Sequence, residues 1–549
     1  MEAAGTLSKQ NDMTGIVGER EHFFGSAKTV AVFTLISRIL GLVRDMVMVP
    51  IGGGKLADRF WTAYSVPNLF RRLFGEGALS AAFVPVFTSV SEQEGVEKAR
   101  RVLANVAGIL SIVLSAIVIL VELGLLIAWK LGPADDLDTF YLQMVGLLMP
   151  FMITICLLAL GSAALNCRGH FTYPAFAPII LNLFLIAAAV WLAPAISEAR
   201  KSQFFIIGIS LLVAGVVQLA GVIWLLLRVG LVSYPRLRPL IPETRKIMGL
   251  MLPMLVPLGA LQLTAFLDRY LAMKFTEIGS RPLEPGIVRC LYPAARLYML
   301  PMGLMAIPIA TVVFPLLGRY ASRGDSGGLR ETTSRALRLC IFLSVPTAVV
   351  LAMVADRLVA LLFERGQFDS RDTIRTAWIL RMYCIGLWAY FFNQVCHRAF
   401  FAVRRPRGPM MVALVLAPIN IALVIFGIHT PLKGGAIGLA TAVTQSVNAL
   451  VLIYLLHRMW GTVGLRGLVI SLFRTLVATA IAVVSGIATL HYAASFIAGL
   501  VPGSWPGWCE QASVLIAAIV VTGSVYILAS LVQRSPELNE LLGRGDRLA

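Results

Sequence analysis

The sequence predicts an all-α integral membrane protein with fourteen transmembrane helices, and three observations carry that expectation. Of 549 residues, 58% are hydrophobic and only 14% are charged, whereas soluble globular proteins average about 25% charged. The mean hydropathy is +0.82. The apolar runs are continuous over about 20 residues, the length that crosses a hydrocarbon core as a helix. They do not alternate over about ten residues, as barrel strands do.

Taken in order, the polar N-terminal stretch 1–26 has no compact apolar core with a cleavage site and reads as a short tail. Helices are expected near 27–50, 58–91, 102–131, 138–166, 174–196 and 203–229. The triplet Gly52-Gly53-Gly54 breaks the chain between the first two, and the basic turn CRGH precedes the fifth. A basic amphipathic link over 231–246 follows. Six further helices are expected near 247–275, 286–320, 333–362, 373–402, 408–429 and 434–457, the eleventh entered through the basic turn RRPR. Helices at 467–497 and 510–533 precede a polar tail, 534–549.

Loop charge sets the orientation. EKARR (97–101), Arg168, the Arg228–Lys246 link, Arg319–Arg338, RRPR (404–407), Arg458, Arg466 and RGDR (544–547) all fall on one side. The opposite loops carry Asp135, Asp136 and Asp138 or little charge. The exception is ADRLVALLFERGQFDSRD, where Arg357, Arg365 and Arg371 are offset by nearby acids. Basic loops lie inside, so both termini are expected in the cytoplasm. The net charge of +18 could suggest a nucleic-acid partner, but basic cytoplasmic loops account for it and no nucleic-acid partner is expected. The seven cysteines form no CxxC pair and sit mostly in apolar runs, and the six histidines form no ligand cluster. No metal or other cofactor is expected.

An internal repeat accompanies this order. Ala177-Pro178-Ile179 and Ala417-Pro418-Ile419 lie 240 positions apart, and Pro85 and Pro315 end comparable helices 230 apart. The offset points to two six-helix lobes, 27–230 and 247–458, in pseudo-twofold repeat, with two C-terminal helices within 459–533. Transporters commonly carry such duplications, with the substrate site between the halves.

The chemistry concentrates in residues 37–85, where Arg38, Arg44, Asp45, Asp58, Asn68, Arg71, Arg72 and Glu76 interrupt an apolar pattern. A charge at mid-membrane costs roughly 2.5–3.5 kcal/mol on insertion scales. Asp45 follows Arg38 by two turns at nearly the same azimuth, whereas Arg44 points about 120° away. Asp58, Ser65, Asn68 and Arg72 fall within about 80° of one another on the second helix. Pro67 is expected to kink that helix, so the faces of Arg71 and Arg72 are not set by spacing. In the second half Asp268-Arg269 and Arg296 are the charged interruptions, and Asn393, Gln394, Asn420, Gln445 and Asn448 the polar ones. One reading of the charges is structural, with Arg38–Asp45 and Arg72–Glu76 paired and serving only to hold helices together. The other is a cationic central cavity for a large anionic substrate, because several arginines aimed at one cavity need an anionic occupant. The planar arginine fork suits phosphate or carboxylate.

The motifs SRILGLVRD (37–45), ADRFWTAYSVPNLFRRLFGEGALSAAFVPVF (57–87), LNCRGHFTYPAFAPIILN (165–182) and AARLYMLPMGL (294–304) resemble those of the lipid II flippases, the MurJ (MviN) family. The resemblance runs over about 27–530. It implies the fold of the MATE-like exporter superfamily and a multi-pass protein of the bacterial inner membrane. The implied activity is transfer of undecaprenyl-diphosphate-linked muropeptide (lipid II) to the periplasmic leaflet by alternating access, with no catalysis. The family's important arginines match Arg38, Arg44, Arg71 and Arg296, and its acidic position matches Asp58. The arginines would engage the diphosphate, with Asn68 beside them, while Asp58 would pair with an arginine during closure. Asp45, Arg72 and Glu76 are the further candidates for gating pairs. The lipid tail would lie along the last two helices. The implied state is a monomer among membrane lipids, in the company of the cell-wall synthesis machinery.

One departure stands out. Many members carry Ala-Asp-Arg where this chain has Ala294-Ala295-Arg296, and Arg289 is a candidate for a compensating difference. Alternatives on the same fold are a cation-coupled multidrug exporter, or a flippase for another polyprenyl-diphosphate-linked glycan. The first would be expected to carry an acidic, aromatic cavity. A membrane-embedded glycosyltransferase or phosphatase would need a catalytic carboxylate pair or acidic metal motif in a sizeable loop, and none appears. For energy, the membrane potential acting on cavity charge and a sodium or proton site near Asp268 and Asn420 both fit.

Overall fold

The computed structural model describes residues 29–73, 79–132, 135–232, 241–277, 282–461, 464–500 and 507–542, and among these there is no strand. Ten helical stretches among them are long and apolar enough to cross a membrane. The chain is a multi-pass α-helical membrane protein. It divides into two compact units, Met1–Ile51 with Thr62–Gln262, and Gly52–Trp61 with Leu263–Ala549.

The first unit begins with α1, residues 29–48. After Gly52 and Gly53 the chain turns at Gly54, whose φ of +58° suits a residue without a Cβ. Helix α2 (Gly54–Phe70) starts there. It runs through Pro67 without ending, and the Asn68 side-chain amide donates to the Tyr64 carbonyl at 3.0 Å in the same turn. A π turn follows at 71–73. Residues 74–78, with Glu76, lie outside the described residues, and α3 (Leu79–Gln93) follows.

Helix α4 (Gly95–Leu131) starts almost two turns before its apolar run, where Glu97 pairs with Arg100 and Arg101 and Lys98 with Glu94. Lys98 also reaches Glu243 at 2.8 Å. The next apolar run, expected as one helix, is two, α5 (Asp136–Leu148) and α6 (Phe151–Cys167), joined at Met149-Pro150. The fifth run is α7 (Thr172–Ala187), a π turn at Ala188–Leu192 and a short α8 (Ala193–Ile196) with Pro194 in its first turn. Helix α9 (Arg200–Arg228) packs on α5, α6 and α7. Its outward face carries Ile209, Val213, Val216, Trp224 and Leu227, the pattern of a helix solvated by lipid. Helix α10 (Pro242–Lys274) begins in this unit and ends in the other.

In the second unit, α11 (Ile287–Pro301), a π turn (Met302–Ala306) and α12 (Ile307–Ser322) form one long path beside Pro301 and Pro308. The ninth run, expected as a single helix, divides into α13 (Ser326–Met353) and α14 (Ala355–Phe363). Helix α13 starts early because Asp325 caps it, accepting the Gly328 amide at 2.8 Å. The tenth divides at Gly386 into α15 (Ser370–Ile385) and α16 (Leu387–Ala402). Helices α17 (Arg407–Gly427) and α18 (Gly435–Trp460) complete the core, α18 packing on α15, α16 and α17. Small residues let α18 approach closely. A Cβ on Gly386 would stand 2.6 Å from the Cα of Ala442, and one on Gly438 would stand 2.9 Å from the Ile379 carbonyl oxygen.

Helices α19 (Leu465–Leu500) and α20 (Gly507–Val532) pack on each other and against α13. Pro346 inside α13 has no N–H to give the Phe342 carbonyl. The Tyr526 hydroxyl of α20 donates to that carbonyl at 2.7 Å instead. The C-terminal stretch, expected as a plain polar tail, holds a short helix α21 (Pro536–Leu541) whose Leu538 joins Phe342, Ala478, Ala482 and Tyr526 in a buried cluster.

Candidate functional site

Each unit holds part of the charged set. In the first, Arg44 and Asp45 of α1 are both buried, and neighbours in sequence form the ion pair, Nη2 to Oδ1 at 2.6 Å and Nε to Oδ1 at 3.0 Å. The Arg44 Nη1 donates to Asn182 Oδ1 of α7 at 3.1 Å, and Asn182 Nδ2 donates to the Ser37 carbonyl at 3.0 Å. Gly41 lies against this amide, and a Cβ there would make ordinary contact with Asn182 Nδ2 at 3.8 Å. Of the two readings of these charges, the structural one offered an Arg38–Asp45 pair, and the pair seen on α1 is Arg44–Asp45 instead. Arg38 is half-buried and makes no ion pair or side-chain hydrogen bond among the described residues.

On α2, Asn68 accepts from Arg71 Nε at 3.3 Å, so these two predicted residues are neighbours. Arg71 and Arg72 are both half-buried, within the π turn. A π turn shifts side-chain azimuth relative to an α-helix, so the stripe drawn from Asp58 through Asn68 to Arg72 does not carry through.

In the second unit, Asp58 is fully buried at the start of α2. Its Oδ2 accepts the Gly286 amide at 2.7 Å, and Oδ1 accepts those of Val288 at 2.8 Å and Arg289 at 3.1 Å. These are the first amides of α11, which intrahelical bonds leave open, and a carboxylate also meets the positive end of the helix dipole. Beside it the buried Arg59 pairs with Glu277 at 2.5 Å. Arg289 was a candidate to compensate at Arg296, and the structure assigns it elsewhere. Its guanidinium is buried, pairs with Asp372 and donates to the carbonyls of Gly52 and Gln367. The acids of 355–372, counted in the sequence as balancing the charge of that connection, have partners outside it or cap its helices. Asp356 pairs with Arg381, Asp372 with Arg289, and Asp369 caps α15 by accepting the Asp372 amide at 3.0 Å.

Arg296, on α11, is half-buried. Its Nη2 donates to the Tyr292 hydroxyl at 3.0 Å, and its guanidinium carbon lies 5.3 Å from the centre of the same ring. Farther along the unit, Asn420 Nδ2 donates to Asp268 at 3.1 Å while its Oδ1 accepts from the Thr444 hydroxyl at 3.1 Å. Arg269 turns back to the Ala265 carbonyl at 3.2 Å. Among the described residues no group of three or more His, Cys, Asp or Glu could hold a metal ion.

Asn182, Tyr292 and Asp372 were not among the residues singled out from sequence. Asn182 closes a recognised motif as a lone amide in an apolar helix, a signal that could have been used. Tyr292 and Asp372 carry no such signal.

Comparison with known proteins fits these features. A sequence model described as the lipid II flippase MurJ matches residues 49–504. A probable lipid II flippase MurJ of Rhizobium tropici is 32% identical over 437 residues, covering 78% of this chain and 80% of the relative. The lipid II flippase MurJ of Burkholderia cenocepacia is 30% identical over 443 residues, covering 78% and 83%. Among solved structures, a lipid II flippase MurJ in an inward closed conformation superposes with a TM-score of 0.71 at 23% identity, covering 92% of this chain and 98% of that one. An inward-facing multidrug resistance MATE family transporter superposes with a TM-score of 0.63 at 13% identity, covering 80% and 98%. At those identities the two structures speak for the fold alone. The match over 49–504, with the two relatives, places the chain in the lipid II flippase MurJ family.

Proposed function

We propose that this protein is a flippase that moves lipid II across the bacterial inner membrane by alternating access, from the cytoplasmic to the periplasmic leaflet. Family membership supports the substrate, and arginines standing in apolar helices support the way it is held. The observation that carries the reading is that Arg38, in the middle of α1, keeps a guanidinium half-buried with no protein anion beside it among the described residues. Such a charge is stable where an anionic ligand arrives. Arg71 and Arg296, both half-buried, are the further ligands of the diphosphate in this reading, and Arg44, neutralised by Asp45, orients α1. Asp58 holds the start of α11 and is the candidate gating residue.

The reading includes fourteen crossings, counting α2–α3, α5–α6, α7–α8, α11–α12, α13–α14 and α15–α16 as single passages and leaving out the short α21, with both termini cytoplasmic. It includes two six-helix lobes followed by α19 and α20 as the path of the lipid tail. Two energy sources fit, the membrane potential acting on the arginines and a cation bound near Asp268 and Asn420. Collapsing the potential and the sodium gradient separately distinguishes them.

The test is depletion of the protein in its host, followed by an assay of precursor exposed to the periplasm. Exposure should fall, and unchanged exposure in a host without a second flippase refutes the reading. Arg38→Ala and Arg296→Ala should each abolish complementation while the protein stays in the membrane. Full complementation by both would return the arginines to a structural role.

A further inference from the structure

A second group of arginines gathers in the second unit, around the turn between α16 and α17. Arg404 and Arg405 line two cavities that meet there, of about 870 and 650 Å³, and Met459 borders both as well. Arg407 and Arg458 line the second of them. All four arginines are exposed, and none makes an ion pair or a side-chain hydrogen bond among the described residues. A fifth, Arg398, stands over the ring of Phe314, a wall of the first cavity, at 5.4 Å. Asp325, the acid next in the chain to Gly324 and Ser326 of that cavity, is taken up in capping α13. The remaining walls are largely apolar, with Leu329 and Trp460 in the first cavity and Phe400 and Leu455 in the second. Arg404 also holds a φ of +56°, a backbone region that a residue with a Cβ rarely adopts.

We propose that this junction binds an anionic glycerophospholipid, its phosphate held among Arg404, Arg405, Arg407 and Arg458 and the roots of its two acyl chains against the two apolar walls. Exposed arginines alone would be satisfied by water. These four share their cavities with aromatic and aliphatic side chains, for which a soluble anion has no use, whereas a lipid presents both chemistries at once. Guanidinium forks match phosphate oxygens in pairs, and basic pockets at the ends of membrane helices hold anionic headgroups. Trp460, the last residue of α18, is of the type that favours the boundary between headgroups and hydrocarbon. Two cavities with the charge where they meet suit two chains on one head better than the single chain of a prenyl diphosphate. Arg38, Arg71 and Arg296 line neither cavity, so the site is separate from the arginines proposed to hold lipid II and stands whether or not they do.

The experiment titrates the delipidated full chain in detergent with dioleoyl phosphatidylglycerol, dioleoyl phosphatidylcholine and inorganic phosphate. Native mass spectrometry reads the bound molecules, and thermal unfolding reads stability. Phosphatidylglycerol should bind about tenfold or more tightly than phosphatidylcholine, and inorganic phosphate at the same concentration should not displace it. Arg404→Gly suits a φ of +56°, so Tm should hold or rise. The Kd for phosphatidylglycerol should meanwhile rise about fivefold, the worth of one basic residue at a lipid headgroup. Arg405→Gln combined with Arg458→Gln should raise it about twentyfold with Tm unchanged, since both side chains are exposed and without partners among the described residues. Arg245→Gln, at an exposed arginine of α10 that lines neither cavity, should leave Kd unchanged. An equal loss in Arg245→Gln, or no loss in Arg404→Gly and the double variant, reduces the four to general surface charge and overturns the proposal. Displacement of the lipid by phosphate alone overturns it too, as does a hexaglutamate peptide that binds through these arginines where the lipid does not. If the double variant loses lipid II and keeps phosphatidylglycerol, the site belongs to the transported substrate and the proposal is again overturned.

Discussion

Asp58 and Arg289 meet through the backbone, while their side chains take separate partners. The Asp58 carboxylate accepts the Arg289 amide at 3.1 Å, and the Arg289 guanidinium pairs with Asp372. The acid is thereby free to cap α11 and is also held by Gly286 and Val288. Asp58→Ala leaves three buried amides without that acceptor and should cost about 2 kcal/mol or more. Asp58→Asn retains a carbonyl oxygen and should cost about half as much. Thermal unfolding in detergent, with amide exchange at 286–289, measures both.

Removing one partner of the Arg289–Asp372 pair leaves a buried charge. Arg289→Met should destabilise by about 3–5 kcal/mol. The double variant Arg289→Met with Asp372→Asn should recover at least half of that. A double-mutant cycle on unfolding midpoints checks the coupling, and additive losses would show that the two side chains act independently.

Gly386 marks the elbow between α15 and α16 against α18. A methyl group there meets the Ala442 Cα at 2.6 Å and its carbonyl oxygen at 3.2 Å, which are backbone atoms that cannot rotate away. Gly386→Ala should destabilise by about 1–3 kcal/mol. Ala442→Gly in the same chain should restore little, because the Cα and the carbonyl remain, and unfolding midpoints of the single and double variants report this.

Lys98 holds Glu243 by a hydrogen bond at 2.8 Å, which keeps the Glu243 carboxyl below its ordinary value. A lowered acid contributes stability at pH values above the unfolded value, about 4.3 for Glu, and loses that contribution as pH falls through the folded value. Amide exchange over 242–247, corrected for its intrinsic pH dependence, should speed up on acidification below about pH 4. Lys98→Met should remove that dependence and raise exchange at neutral pH.

Much of the helix order was legible because apolar runs of membrane length have few alternatives. The breaks at Met149-Pro150, Val354 and Gly386 were not, since apolarity continues across each and only packing shows where the direction changes. At the site, arginines announce themselves in apolar helices, but their partners do not. Asn182 lies 138 positions from Arg44, and Asp372 lies 83 from Arg289. Charge balance is a local count along the chain, whereas a buried pair such as Arg289–Asp372 is chosen by geometry. A related limit holds for Arg38 and Asp45: azimuth places Cβ atoms, while a guanidinium reaches several ångströms beyond its own, and Asp45 pairs with Arg44.

The bond from Tyr526 to the Phe342 carbonyl has a consequence for biogenesis. The acceptor is synthesised 184 residues before its donor, a delay of roughly 10 to 40 s at translation rates of about 5–20 residues per second. Throughout that interval the carbonyl opposite Pro346 sits in a nascent helix without its final partner. The bend at Pro346 is thus completed only when the last membrane helix has been made, so the fold of α13 depends on the far end of the chain.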